Sequence, residues 1–164
     1  MTDAALIDSI KYFHRAFPTG VTIVTTTVDS QPYGLAVNAF ASVSLDPPLV
    51  MVCVKSTSST YQRLFAEDHF GVSILSNEQA RVAQVFAQSG VDKFSQIAWS
   101  CGNSGVPLID DASAQMEFTV RSRMPAGTHT IFVGDVTRAC AFGRPPLVYA
   151  AGKFYDGGKL VPLD

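Results

Sequence analysis

Asn38, Ser42 and the run Ser56-Thr57-Ser58-Ser59-Thr60 are the residues of this chain best suited to chemistry. The first two stand in Asn38-Ala39-Phe40-Ala41-Ser42-Val43-Ser44-Leu45-Asp46-Pro47-Pro48, a stretch that otherwise reads as a buried strand. A buried amide or hydroxyl must find a partner or cost free energy. A bound heterocycle with donors and acceptors on one edge would supply such partners. The Pro-Pro break leads straight into an apolar strand, Leu49-Val50-Met51-Val52-Cys53-Val54, and then into the hydroxyl run. Polar strand, apolar strand and hydroxyl loop together describe a ring site beside a phosphate site.

Period-two counting sets Gly34, Ala36, Asn38, Phe40, Ser42 and Ser44 on one face of a strand. Leu35, Val37, Ala39, Ala41 and Val43 then point into a core. The first face is small and polar enough to seat a flat ring; a solvent-facing strand is the other reading. A hydroxyl loop that opens a helix offers backbone N–H groups, side-chain donors and the positive end of a dipole. Lys55 adds charge there. The plainer reading is an N-cap turn. His129, at the mouth of an apolar strand, can donate to a ligand or shuttle a proton, or it is a surface loop histidine. Cys53 reads as a buried, inert thiol. Phe86, Phe94, Phe154 and Tyr155 can wall a ring pocket or simply fill a core.

The elements that must position these groups follow from pattern. Leu6, Ile7, Ile10, Phe13, His14 and Phe17 recur at helical spacing, so residues 3–16 read as an amphipathic helix, ended by Pro18. Residues 21–28 and 33–44 read as two strands of a hairpin around Asp29-Ser30-Gln31-Pro32. Strands are also expected at 49–55, 69–75, 114–123, 131–141 and 147–151, with a short one possible in the tail. Short helices are expected at 59–66 and after Ser76-x-x-Gln79, a capping-box pattern. Residues 89–112 read as loop with one short strand near Ile97. The strands come in adjacent pairs, which favours a mostly antiparallel barrel over a doubly wound sheet. No G-x-G-x-x-G follows a strand, which counts against a Rossmann dinucleotide site.

The 164 residues suit a single domain over 1–164. Only 16% of them are charged, which points to surface hidden in an oligomer. A net charge of -2 without a basic cluster gives nucleic acid no footing. Three scattered cysteines argue against both a disulfide framework and structural zinc, and the three histidines propose no metal site. His14 and His69 read as structural. Asp3 precedes Leu6, so the basic-then-apolar order of a signal peptide is missing. No apolar run is long enough to span a membrane. A cytoplasmic protein is expected.

Asn38 to Val50 resembles the signature of the short-chain flavin reductases, the reductase components of two-component flavin-dependent monooxygenases. Phe17-Pro18-Thr19-Gly20-Val21-Thr22-Ile23-Val24-Thr25, Ser58-Ser59-Thr60, Phe70 to Leu75, Gln79, Phe86-Ala87, Asp92-Lys93-Phe94, Gly127 to Val136 and Pro146-Leu147-Val148-Tyr149 with Gly152 resemble further family segments in the right order. The resemblance implies a mainly β, antiparallel split β-barrel, a homodimer, and a flavin site near the dimer interface. It would place Asn38, Ala39, Ser42 and Cys53 along the flavin ring edge or ribityl chain. Ser58, Ser59 and Thr60, with Lys55 nearby, would meet the phosphate. Phe86, Lys93 and Phe94 would lie around the ring or at the pocket rim, and His129 near the nicotinamide. The family usually reads Gly-Asp-His where this chain has Gly127-Thr128-His129. The implied activity is hydride transfer from NADH or NADPH to FMN or FAD, with reduced flavin passing to a separate oxygenase. A flavin-binding electron carrier or storage protein on the same fold is the alternative.

Overall fold

A computed structural model describes residues 3–163. Helix α1 covers Asp3–Arg15. Strands β1 (Thr19–Gly20), β2 (Thr22–Val28), β3 (Gln31–Val37), β4 (Phe40–Leu45) and β5 (Pro48–Lys55) precede helix α2 (Tyr61–Ala66). Strand β6 (His69–Ile74) leads to helix α3 (Ala80–Ala87) and a small hairpin, β7 (Trp99–Cys101) with β8 (Pro107–Ile109). The long strands β9 (Ala114–Ala126) and β10 (His129–Ala141) follow, then β11 (Leu147–Ala150) and β12 (Lys153–Asp156). The chain is mainly β, as expected.

A seven-stranded antiparallel sheet dominates, in the order β3-β2-β6-β9-β10-β5-β4. Its two edge strands, β3 and β4, are consecutive in sequence, with only Asn38 and Ala39 between them. Two extended residues span roughly 7 Å, so the sheet must roll until its edges meet at this corner. There the Cys53 N–H donates to the Ala39 carbonyl at 2.9 Å. No strand ladder joins β3 to β4 among the described residues, so by hydrogen bonding the sheet stays open.

Two cores flank β2, whose residues Thr22 to Thr26 are buried on both faces. One core lies inside the rolled sheet and gathers Val24, Val37, Val50, Val52, Leu64, Phe70, Phe118 and Phe132, with Leu35 and Phe40 packed against it. The other lies under α3, where Ile23, Leu75, Val82, Val85, Phe86 and Leu147 meet, with Ala36 alongside. Buried threonine hydroxyls between the layers find backbone acceptors: Thr22 Oγ1 donates to Val37 O and Thr26 Oγ1 to His69 O. Register shifts between Val133 and Gly134 bend β10 against β9. A Cβ on Gly134 would collide with the Phe118 ring, so only glycine lets the strand cross that ring.

Several expectations need correction. Residues 33–44 are not one strand: the chain bends at Asn38–Ala39 and the facing inverts. Leu35 and Val37 enter the inner core as counted, but so does Phe40, while Ala39 and Val43 are exposed. The second helix starts at Tyr61 rather than residue 59, because Ser58 to Thr60 form a turn in which Tyr61 N–H donates to Ser58 O. The capping box is half made. Ser76 N–H donates to Gln79 Oε1, yet α3 begins only at Ala80 and Gln79 has no side-chain cap bond. Residues 89–112 hold the β7–β8 hairpin, not one strand near Ile97. Cys53 is half-buried, not fully so.

Candidate functional site

Two clefts follow one another along β3. The first, about 360 Å3, is lined by Ala36, Val37 and Asn38 of β3 and its end, by Ala83, Gln84 and Ala87 of α3, and by Tyr149 and Phe154. The second, about 270 Å3, is lined by Pro32, Tyr33 and Gly34, by Ser59, Thr60 and Arg63, and by Gly90 to Phe94. Small residues on the α3 face of β3 leave this space. A Cβ on Gly34 would come within 3.0 Å of both Phe86 and Thr25.

Lys93 is the anchor of the second cleft. Its side chain is buried, and Nζ donates to Gly34 O at 3.1 Å and Phe86 O at 2.9 Å. No carboxylate pairs with it among the described residues. Burial lowers its pKa, since desolvation disfavours the cation. A buried charge without a counter-charge is costly, and an anion in the cleft would relieve it. The Thr60 hydroxyl donates to the same Gly34 carbonyl at 3.3 Å. The Ser59 side chain makes no hydrogen bond among the described residues. Asp92, the one carboxylate of this wall, spends Oδ1 on Ser95 N–H at 3.2 Å. From Leu49 to Thr60 there is no acidic residue. Helix α2 has six residues, too few for its dipole to matter, so any pull on an anion comes from Lys93, Arg63 and the hydroxyls.

A third cluster lies where β5 ends and β10 begins. His129 pairs with Lys55 across the ladder. Ser56 donates to Thr128 O through both N–H and hydroxyl, each at 3.0 Å. Thr128 Oγ1 stands 2.9 Å from His129 Nδ1, so a neighbouring hydroxyl fills the Asp position noted in the sequence. The Cys53–Ala39 bond ties this end of β5 to the Asn38 corner. Burial raises the Cys53 thiol pKa, which keeps it protonated and unreactive.

The fold thus gathers Asn38, Ser59, Thr60, Lys93 and Phe94 on the β3 clefts, and Lys55 with His129 at the adjoining sheet end. Ala39 and Asn38 are exposed at the corner. Ser42 stands further along β4, opposite Val50 and exposed. Phe86 is 1% exposed and lies under Gly34 rather than on the cleft surface. Of the two tail aromatics, Phe154 lines the first cleft and Tyr155 points to solvent. Sequence reasoning missed Arg63, Tyr33, Gln84 and Tyr149. Arg63 had a signal: it falls one helical turn after Ser59, on the same face as the hydroxyl run. No group of three or more His, Cys, Asp or Glu able to hold a metal occurs among the described residues.

The flavin reductase like domain matches residues 13–158. The chain belongs to that family. An NADH-dependent FAD reductase of Streptomyces globisporus is 42% identical over 144 residues, covering 84% of this chain and 79% of that protein. The reductase component of a flavin-dependent trigonelline monooxygenase of Acinetobacter baylyi is 39% identical over 163 residues, 97% of this chain but 53% of that protein. The chain therefore spans about half the length of that relative. Among solved structures, the Streptomyces globisporus C-1027 NADH:FAD oxidoreductase SgcE6, in complex with NAD and FAD fragments, superposes with a TM-score of 0.89. It is 36% identical, and the match covers 99% of this chain and 97% of that one.

Proposed function

We propose that this chain is an NAD(P)H-dependent flavin reductase, taking NADH or NADPH as hydride donor and FMN or FAD as acceptor. One observation carries the reading: a buried, uncompensated Lys93 faces the same cleft as Ser59 and Thr60, next to the Asn38 cleft. That is a seat for a phosphorylated ring compound. The donor set fits a flavin in having neutral donors, one buried cation and no acidic residue in the apolar strand or hydroxyl loop. The likeness to an NADH-dependent FAD reductase supports the choice of chemistry.

Bound flavin supplies the two-electron redox chemistry. The chain's residues bind and orient. Lys93, Ser58, Ser59 and Thr60 would hold the phosphate, with Lys55 at the adjoining sheet end. Asn38, the Ala39 backbone and Ser42 offer donors along the ring edge, where negative charge on the reduced ring needs them. Cys53 and Phe94 pack beside it, and Phe86 supports Gly34 from below. His129, its Nδ1 held by Thr128, presents its other nitrogen to the nicotinamide side. Direct hydride transfer requires no general base, so His129 serves as a positioning residue.

The same reading includes a homodimeric split barrel. All thirteen residues of α1 are exposed, among them Leu6, Ile7, Ile10 and Phe13. A helix of that length is marginal by itself, and a second copy would cover its apolar face. Val43 and Leu45 on β4 are exposed as well. Reduced flavin passes to a separate oxygenase component, and a cytoplasmic location suits three free cysteines. Among the described residues no helix is long and apolar enough to cross a membrane.

The test is anaerobic mixing of purified protein with each flavin and each nicotinamide nucleotide while both absorbances are followed. Flavin bleaching that consumes one NADH or NADPH per flavin is expected. Absence of bleaching with every pair refutes the enzyme. Flavin retained through desalting without NADH oxidation points instead to a carrier.

A further inference from the structure

We propose that Arg63, seated on Tyr33, is the residue by which this chain selects the dinucleotide flavin over the mononucleotide. The proposal rests on the flavin reading above and assigns the far end of the same cleft.

Arg63 lies one turn into α2 from Ser59. Its Nη1 donates to the Ser59 carbonyl at 3.3 Å, and its guanidinium carbon stands 5.2 Å from the centre of the Tyr33 ring. These contacts hold the group in place without neutralising it. Arg121, Arg123, Arg138 and Arg144 each pair with a carboxylate. Arg63, like Arg15 and Arg81, has no such pair among the described residues, and of these three it alone lines the cleft. A guanidinium carries several N–H donors in a planar fork, and its hydrogen bond to Ser59 uses one.

The cleft therefore holds two cations of different kinds. Lys93 is buried at its wall and bound to two carbonyls. Arg63 stands at its mouth with donors unspent, and Ser59 and Thr60 lie along the same lining. One phosphate at the hydroxyls answers Lys93. The remaining fork matches a second phosphoryl group, which it can grip through two parallel N–H bonds. A diphosphate also occurs in nicotinamide dinucleotides. Arg63 is bonded to Ser59 itself, so the second phosphoryl site adjoins the flavin phosphate site. The geometry favours flavin adenine dinucleotide.

Dissociation constants for FAD, FMN and riboflavin are measured by flavin fluorescence for the native chain, Arg63→Gln and Tyr33→Leu. The KM for NADH is measured with each flavin. Arg63→Gln should weaken FAD about tenfold, the worth of one lost charged hydrogen bond, and change FMN by less than about twofold. Tyr33→Leu, which unseats the guanidinium, should reproduce the same selectivity loss more weakly. Equal weakening of FAD and FMN overturns the proposal, since Arg63 would then serve the shared phosphate. So does an unchanged FAD constant, or a rise confined to the KM for NADH. A native chain that binds no flavin refutes the flavin reading itself; one that binds both, with no selective Arg63 effect, refutes this proposal alone.

Discussion

The Lys93 ammonium lies 3.1 Å from the carbonyl oxygen of Gly34, so a cation from the loop after α3 is fastened to the edge strand of the main sheet. It braces the wall of a cleft and leaves a positive charge there without a counter-charge. Lys93→Met should keep most of the packing and remove the charge. FMN affinity should fall about tenfold or more, as for a hydrogen bond to a charged group, while riboflavin affinity stays nearly level. Isothermal titration with both ligands checks this.

The depressed Lys93 pKa sets a pH dependence. Below its folded value the side chain is charged in both states and burial penalises the fold. As pH rises from that value toward the ordinary lysine value, the native state gives up its proton first and the penalty fades. Stability of the ligand-free protein should therefore gain from this group with rising alkaline pH, while FMN affinity falls as the cation discharges. Lys93→Met should show neither trend in paired melting and titration series.

Glu117 is buried at 1% exposure within β9. Burial opposes its ionisation, yet hydrogen bonds from Ser104 hydroxyl and N–H and Asn103 N–H, with the Arg138 charge, prevail and hold its pKa below the usual carboxylate value. A depressed carboxyl stabilises above its unfolded pKa and loses that contribution as pH falls through the folded one. Glu117→Gln should cost about 1–3 kcal/mol near neutral pH, with the gap to the native chain narrowing in acid. Denaturant melts across pH measure it.

His129→Ala should raise the KM for NADH about tenfold, the scale of one lost hydrogen bond, and leave flavin binding unchanged. His129→Asn should recover part of the loss. A fall in flavin affinity of the same size would reassign His129 to the flavin.

On the proposed homodimer, in which α1 is covered by a second copy, removing residues before Phe17 should shift the species seen by light scattering toward monomer. An unchanged mass would show that α1 plays no part in pairing.

The mainly β reading was legible because β2, β5 and β10 are rich in β-branched residues. The corner was not. Alternation of small, apolar and polar residues runs through Asn38 and Ala39 without a glycine or proline, so period-two counting has nothing to stop it. Only the edge-to-edge geometry of the rolled sheet puts a bend there and turns Phe40 inward. Lys93 entered the sequence analysis only through the family resemblance, inside a stretch read as loop, and its burial comes from contacts with Phe86 at the end of α3 and with Gly34, 59 residues away. Arg63 escaped because its value depends on Tyr33, which only tertiary packing brings beneath it. The amphipathic stripe of α1 was plain in the spacing of Leu6, Ile7, Ile10 and Phe13, and all of these residues are exposed.

Because Asn38 and Ala39 alone bridge the sheet's two margins, the chain has no slack at that point. Lengthening it by even one amino acid would have to part the seam or slide one margin past the other, dragging the ladder out of step. Evolutionary additions should instead collect on the outward turns, such as the exposed one at Asp29 and Ser30 between β2 and β3, where a longer path disturbs no pairing.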